Sequence, residues 1–247
     1  MTRAIIILLL CFGTFYSAYA QELVIQSARE QIGVTTGFDG SEIIIFGDRR
    51  DPQADIAIVV EGPLSKVTLW EKERILGAWV NASHAKFENV PGYYHYATSL
   101  SQEDKNTEGI LRKNGIGYEA LFDMLPTEIK SKSNKLKIFQ AALRNKKEEE
   151  NVFFNTPTEI TFMTDHFFKV EFKIPPSAPT GEYKIHNYLI KEGEVKEHSF
   201  DVFKVEQVGL NAFIYNAAYN SSVIYALICV FLAAFTGWFA SILKVKP

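Results

Sequence analysis

Cysteine is nearly missing from this chain: of 247 residues only Cys11 and Cys229 carry a thiol, and each lies in a long apolar stretch. The segment between them therefore has no disulfide, no thiolate nucleophile and no cysteine-ligated zinc. Histidine is scarce as well, and His84, His95, His166, His186 and His198 show neither H-x-H nor H-E-x-x-H spacing. A phosphate-binding loop and a dinucleotide fingerprint are both lacking. The nucleophile-elbow pattern G-x-S-x-G is not supplied by Asp39-Gly40-Ser41-Glu42. Between Ser222 and Leu243 there is no charged residue at all.

What is present begins at the two ends. Met1 to Ala20 has a basic start at Arg3, an apolar run to about Phe15, and the small residues Ala18 and Ala20 in an A-x-A arrangement. This predicts a cleavable signal peptide over 1–20 and a mature chain from Gln21. Leu10 directly before Cys11 is the wrong neighbour for lipid attachment. At the other end, 222–243 would span roughly 33 Å as a helix, enough for the hydrocarbon core of a bilayer. Lys244 and Lys246 follow in the tail 244–247, which the positive-inside rule places in the cytoplasm. Three of the 26 basic residues lie in the ends and all 29 acidic ones between them, so the middle of the chain holds 23 against 29, a net −6. That balance excludes nucleic acid as a partner.

The middle is organised by its hydrophobic period. Over 21–100, apolar alternation in Glu22–Gln26, Gln31–Thr36, Glu42–Phe46, Asp55–Glu61, Lys66–Trp70, Ile75–Val80 and Lys86–Val90 predicts strands. Turn residues separate them, among them the run from Gly47 to Pro52 and the pair Gly62-Pro63. Trp70 and Trp79 are expected in the core on neighbouring strands. Over 101–150 charge rises and the spacing becomes helical at Tyr118, Leu121, Phe122 and Leu125, then at Leu136, Phe139 and Leu143. Two helices broken near Pro126 are expected. Over 151–208 strands return at Glu159–Thr164, Phe167–Ile174, Gly181–Ile190 and Glu194–Val205, with Lys191-Glu192-Gly193-Glu194 as a hairpin turn. A juxtamembrane stretch, 209–221, leads to the membrane helix. The fold class is mainly β: an immunoglobulin-like β-sandwich, as one domain with a helical insertion or as two, plus one C-terminal transmembrane helix.

Candidate sites are few. Asp48, Asp51 and Asp55 share a loop, but Arg49 and Arg50 neutralise it and a solvated turn accounts for it better than calcium. Asp165-His166 fits a polar turn before a buried strand. No catalytic, cofactor-binding or metal-binding residue is assigned, and the expectation is a protein without enzymatic activity or cofactor. The run around Tyr93, Tyr94 and Tyr96 is the candidate interaction surface, because tyrosine gives broad contact at low entropic cost; core filling is its competing role. Ala233, Gly237 and Ser241 form a small-residue stripe on which another helix could pack.

The segments Phe38–Gly47, Ala57–Pro63 and Gly77–Asn81, the pair Ile174-Pro175 with Pro179–Tyr183, and Thr236–Ser241 together resemble an alphaproteobacterial transmembrane protein family of unknown function. The resemblance covers nearly the whole chain and implies a bacterial inner-membrane protein, single-pass, with its β-rich domain in the periplasm. Members often lie near genes for sulfite-exporter-type permeases, which implies an integral membrane partner of that class. The expected function is a binding or accessory module for such a partner. The alternatives are a periplasmic enzyme with an unrecognised metal or hydrolytic site, and an envelope protein binding a small ligand.

Overall fold

A computed structural model describes residues 22–75, 77–101, 106–130 and 135–242. The expected signal peptide and the tail after the membrane helix lie outside these. Alternation of apolar residues builds the first sheet, in the order β1 (Leu23–Ser27), β3 (Ser41–Arg49), β10 (Phe167–Ile174) and β9 (Thr161–Phe162). Ile43 and Ile45 on β3 and Phe168, Val170 and Phe172 on β10 all turn one way and are buried. Their period-2 partners point to solvent. Gly47, expected in a turn, lies inside β3 opposite Phe168, and a Cβ there would stand 2.2 Å from the ring. The missing side chain is what lets that ring lie flat on the strand.

The second sheet runs β2 (Gln31–Val34), β12 (Glu194–Gln207), β11 (Gly181–Lys191), β4 (Asp55–Glu61) and β7 (Tyr94–Thr98). Its inner face carries Ile56, Ile58 and Val60 with Tyr183, Ile185 and Leu189, and meets the first sheet where His95 packs edge-on to Phe172 with ring centroids 5.2 Å apart. The turn joining β11 to β12 has positive φ at Glu192 (56°) and Gly193 (76°), the backbone of the tight hairpin expected there. Because β3 pairs with β10 and β4 with β11, the two β regions of the sequence share one core. β4 is buried on both faces and reads as a near-continuous apolar run, Ile56 to Val60.

The helical insertion supplies the layer that covers β4 and β7. Helices α1 (Thr107–Lys113), α2 (Tyr118–Met124) and α3 (Leu136–Glu149) bury Leu111, Tyr118, Phe122, Phe139 and Leu143. Two elements here were not expected: α1, and β8 (Thr127–Lys130), which follows Pro126 and pairs with β6. The third sheet is thus β5 (Leu64–Ile75), β6 (Ala78–Pro91) and β8. Ile75–Val80 is not a separate strand: Ile75 is opposite Ala78, so those residues are the closed end of one long hairpin. Two further helices, α4 (Leu210–Asn220) and α5 (Ser222–Ile242), complete the chain.

Candidate interaction surface

The tyrosine run proposed as a surface is core. Tyr93 and Tyr94 are 0% and 1% exposed, and Tyr96 is also buried. β7 lies between two layers, so both of its faces are covered. Tyr94 Oη exchanges hydrogen bonds with the backbone of Gly117 (3.0 and 3.1 Å), and Tyr96 Oη donates to Asn155 O. On the opposite face Tyr93 Oη donates to Lys173 O (2.9 Å). Between them His95 contacts Tyr93 Oη through Nδ1 (3.3 Å) and Thr158 Oγ1 through Nε2 (2.9 Å), and stacks on Phe154 at 4.1 Å. Burial holds its pKa down at about 4, against a hydrogen bond to the backbone of Thr156.

Trp70 and Trp79, expected in the core, are exposed by 54% and 70%. The reason is the length of the β5–β6 hairpin. Ser83 and Ala85 reach the core and Phe87 is buried with them, but residues 72–74 and 77–82 are all exposed. Four residue pairs, from Lys72 opposite Asn81 to Ile75 opposite Ala78, therefore project beyond the body, an arm of roughly 13 Å at 3.3 Å per residue. Its end carries Gly77, Ala78, Trp79 and Val80, flanked by Lys72, Glu73 and Arg74 on the paired strand. The base of the arm is braced on both faces. Outside, Trp70 packs over His84 (4.4 Å) beside the ion pairs Lys66–Glu88 and Lys86–Glu128. Inside, Glu71 accepts from Lys135 Nζ (2.8 and 2.9 Å) and from the Ser83 hydroxyl, contacts that hold its carboxyl below the usual range.

A second open face lies on β11 and β12, beyond the edge of the helical layer. His186 Nδ1 is 3.2 Å from His198 Nε2, Tyr188 stacks on His198 at 4.5 Å, and Phe200 is 65% exposed. The pairing of β11 with β12 about the Glu192-Gly193 turn is what brings 186 and 198 to one face, a long-range relation that H-x-H spacing does not contain. Glu61 stands 3.9 Å from His186 Nε2. Burial raises the carboxyl and lowers the imidazole, so both are driven toward their neutral forms.

Other candidate groups are dispersed or internally paired. Asp51 binds Lys191 (2.7 Å), Asp55 accepts from Ser99 (2.9 Å), and Asp48 lies within β3. His166 Nδ1 meets Arg49 O (3.0 Å) beside the end of the β3–β10 pairing. A cleft of about 570 Å³ opens against α2 and α3, but Arg144 there is taken by both carboxylate oxygens of Glu119 (2.5 and 2.8 Å), and Tyr118 Oη donates to Glu148 (2.6 Å). Among the described residues no group of three or more His, Cys, Asp or Glu could hold a metal ion.

Helix α5 contains a span, Ser222–Ser241, of mean hydropathy 2.2, in which no residue is buried. Ala233 and Gly237 are open on its surface, with Ser241 on the same stripe, and a Cβ at Gly237 would meet nothing within 4 Å. Fold and helix together define a β-rich domain joined to one apolar helix of membrane-spanning length. The chain belongs to the family described as "Putative transmembrane protein (Alph_Pro_TM)", whose pattern matches residues 22–245. No curated protein matches it. Among solved structures, a chain from "Structural basis of T cell specificity and activation by the bacterial superantigen toxic shock syndrome toxin-1" aligns at 6% identity and a TM-score of 0.27, over 75% of this chain and 99% of that one. Likeness at that level carries no argument about fold or function.

Proposed function

We propose that this protein is a non-enzymatic accessory module, held in the inner membrane by α5 with its β-rich domain in the periplasm and its C-terminus in the cytoplasm, that binds an integral membrane protein. The observation that carries the reading is the β5–β6 arm. A folded domain has no reason of stability to extend a hairpin whose last Trp is 70% exposed, since the arm buries little of its own surface. Tryptophan in such a position is the side chain most often found at the centre of binding energy, and the Lys–Glu pairs at the base form a polar rim. Internal pairing of the titratable groups in the helical cleft speaks for a structural use of that charge.

The test is mild-detergent purification of tagged full-length protein after in-cell crosslinking, with mass spectrometry of what is held. Recovery of one integral membrane protein, weakened at least tenfold by Trp79→Ala with Trp70→Ala, is the expected result. Equal recovery by the double variant would remove the arm from the account. The same variants should leave the thermal transition of the domain in place, because neither side chain is in the core.

A further inference from the structure

From Val208 to Leu243 the chain has no charged residue, a run longer than its membrane span. As one straight helix it would reach roughly 54 Å, more than the full thickness of a bilayer with its headgroups. It is not one helix. Ser221, at φ −136° and ψ 44°, interrupts it and separates α4 from α5. With α5 occupying the hydrocarbon core, α4 is left at the membrane surface, one residue from the span.

Its own pattern suits that place. Leu210, Phe213, Ile214 and Ala217 recur at i, i+3, i+4 and i+7, the spacing of one helical stripe. Ala212 and Tyr215 fall on the opposite side, and they line a crevice with Gly181 at the start of β11 and Val205 and Gln207 at the end of β12. Helix α4 thus turns Ala212 and Tyr215 toward the β domain, Tyr215 still 52% exposed, and leaves Phe213 71% and Ile214 44% exposed on the other side. Tyr215 and Tyr219 stack at 4.6 Å, a pair of amphipathic rings of the kind enriched at membrane–water boundaries.

We infer that α4 lies in the outer polar–apolar boundary of the bilayer, with Phe213, Ile214 and Ala217 against the acyl chains, and that it seats the β domain on the lipid surface. The occupant of the stripe is lipid because the stripe is continuous with a helix already in lipid and no charge must be desolvated to place it there. This inference rests on the membrane anchor and is independent of the arm. Seating would also fix which way the domain faces along the membrane.

The experiment uses the full chain with both native cysteines replaced by serine, in vesicles of phosphatidylethanolamine and phosphatidylglycerol. Nitroxide labels are placed singly at cysteines introduced from 212 to 219, and collision rates are measured with oxygen and with a water-soluble nickel chelate. Oxygen-to-nickel ratios several-fold higher at 213, 214 and 217 than at 212 and 215 are expected. Uniform nickel access along α4 would overturn the inference. Dipolar broadening between labels at 213 or 217 of separate molecules would also overturn it, by showing that a second copy covers the stripe.

Discussion

His95 is a neutral imidazole stacked on Phe154 and edge-on to Phe172, with a hydroxyl at each ring nitrogen. Its pKa falls from 6.5 to about 4 on folding because the charged ring would lose its hydration there. The unfolded chain therefore takes up a proton below about pH 6.5 that the native protein refuses until about pH 4. Stability from this residue is full above that window and is lost as pH falls through it, by on the order of 3 kcal/mol in all. Urea midpoints measured from pH 7 to pH 4 should decline, and His95→Gln should flatten the slope across the window. The same neighbourhood decides between the two roles open to the tyrosine run. Four consecutive aromatics, Tyr93, Tyr94, His95 and Tyr96, show no alternation, and a strand covered on both sides buries both of its sets, so the choice between surface and core was not legible in the strand itself.

Boundaries were legible where one face is buried and the period shows, as in the strand Phe167–Ile174 and at Phe139 and Leu143 of α3, and also where an apolar run is continuous between turn residues, as in Asp55–Glu61. β8 was not legible because Thr127 to Lys130 is too short to show a period and gains its hydrogen bonds only from β6. The arm was misjudged for a related reason: apolar residues at its end follow strand alternation yet have no layer to cover them. Within the helical layer, α2 and α3 are held by Arg144, which pairs bidentately with Glu119 and lies over the Phe122 ring at 4.3 Å. Arg144→Lys keeps the charge but loses the fork and much of the ring contact. With both partners partly exposed, the expected cost is about 1 kcal/mol, read as a lower urea midpoint with an unchanged slope.

At the scale of the whole molecule, one core made from both β regions carries three appendages: a helical layer, a projecting hairpin and a C-terminal pair of helices. The C-terminal apolar span was legible because a bilayer imposes a length and an apolar composition that a sequence shows directly. The joining of two distant β regions through β3–β10 and β4–β11 was not, because strand pairing is long-range and leaves no local mark. The proposed role requires contact between the arm and a membrane protein. It is tested most directly by a photo-activatable amino acid placed at position 79 of the full-length chain in cells, with position 202 on the open face of β12 as the comparison. An adduct with one integral membrane protein from position 79, and none from position 202, is the predicted result. No protein adduct from 79, or equal adducts from both positions, would contradict the claim.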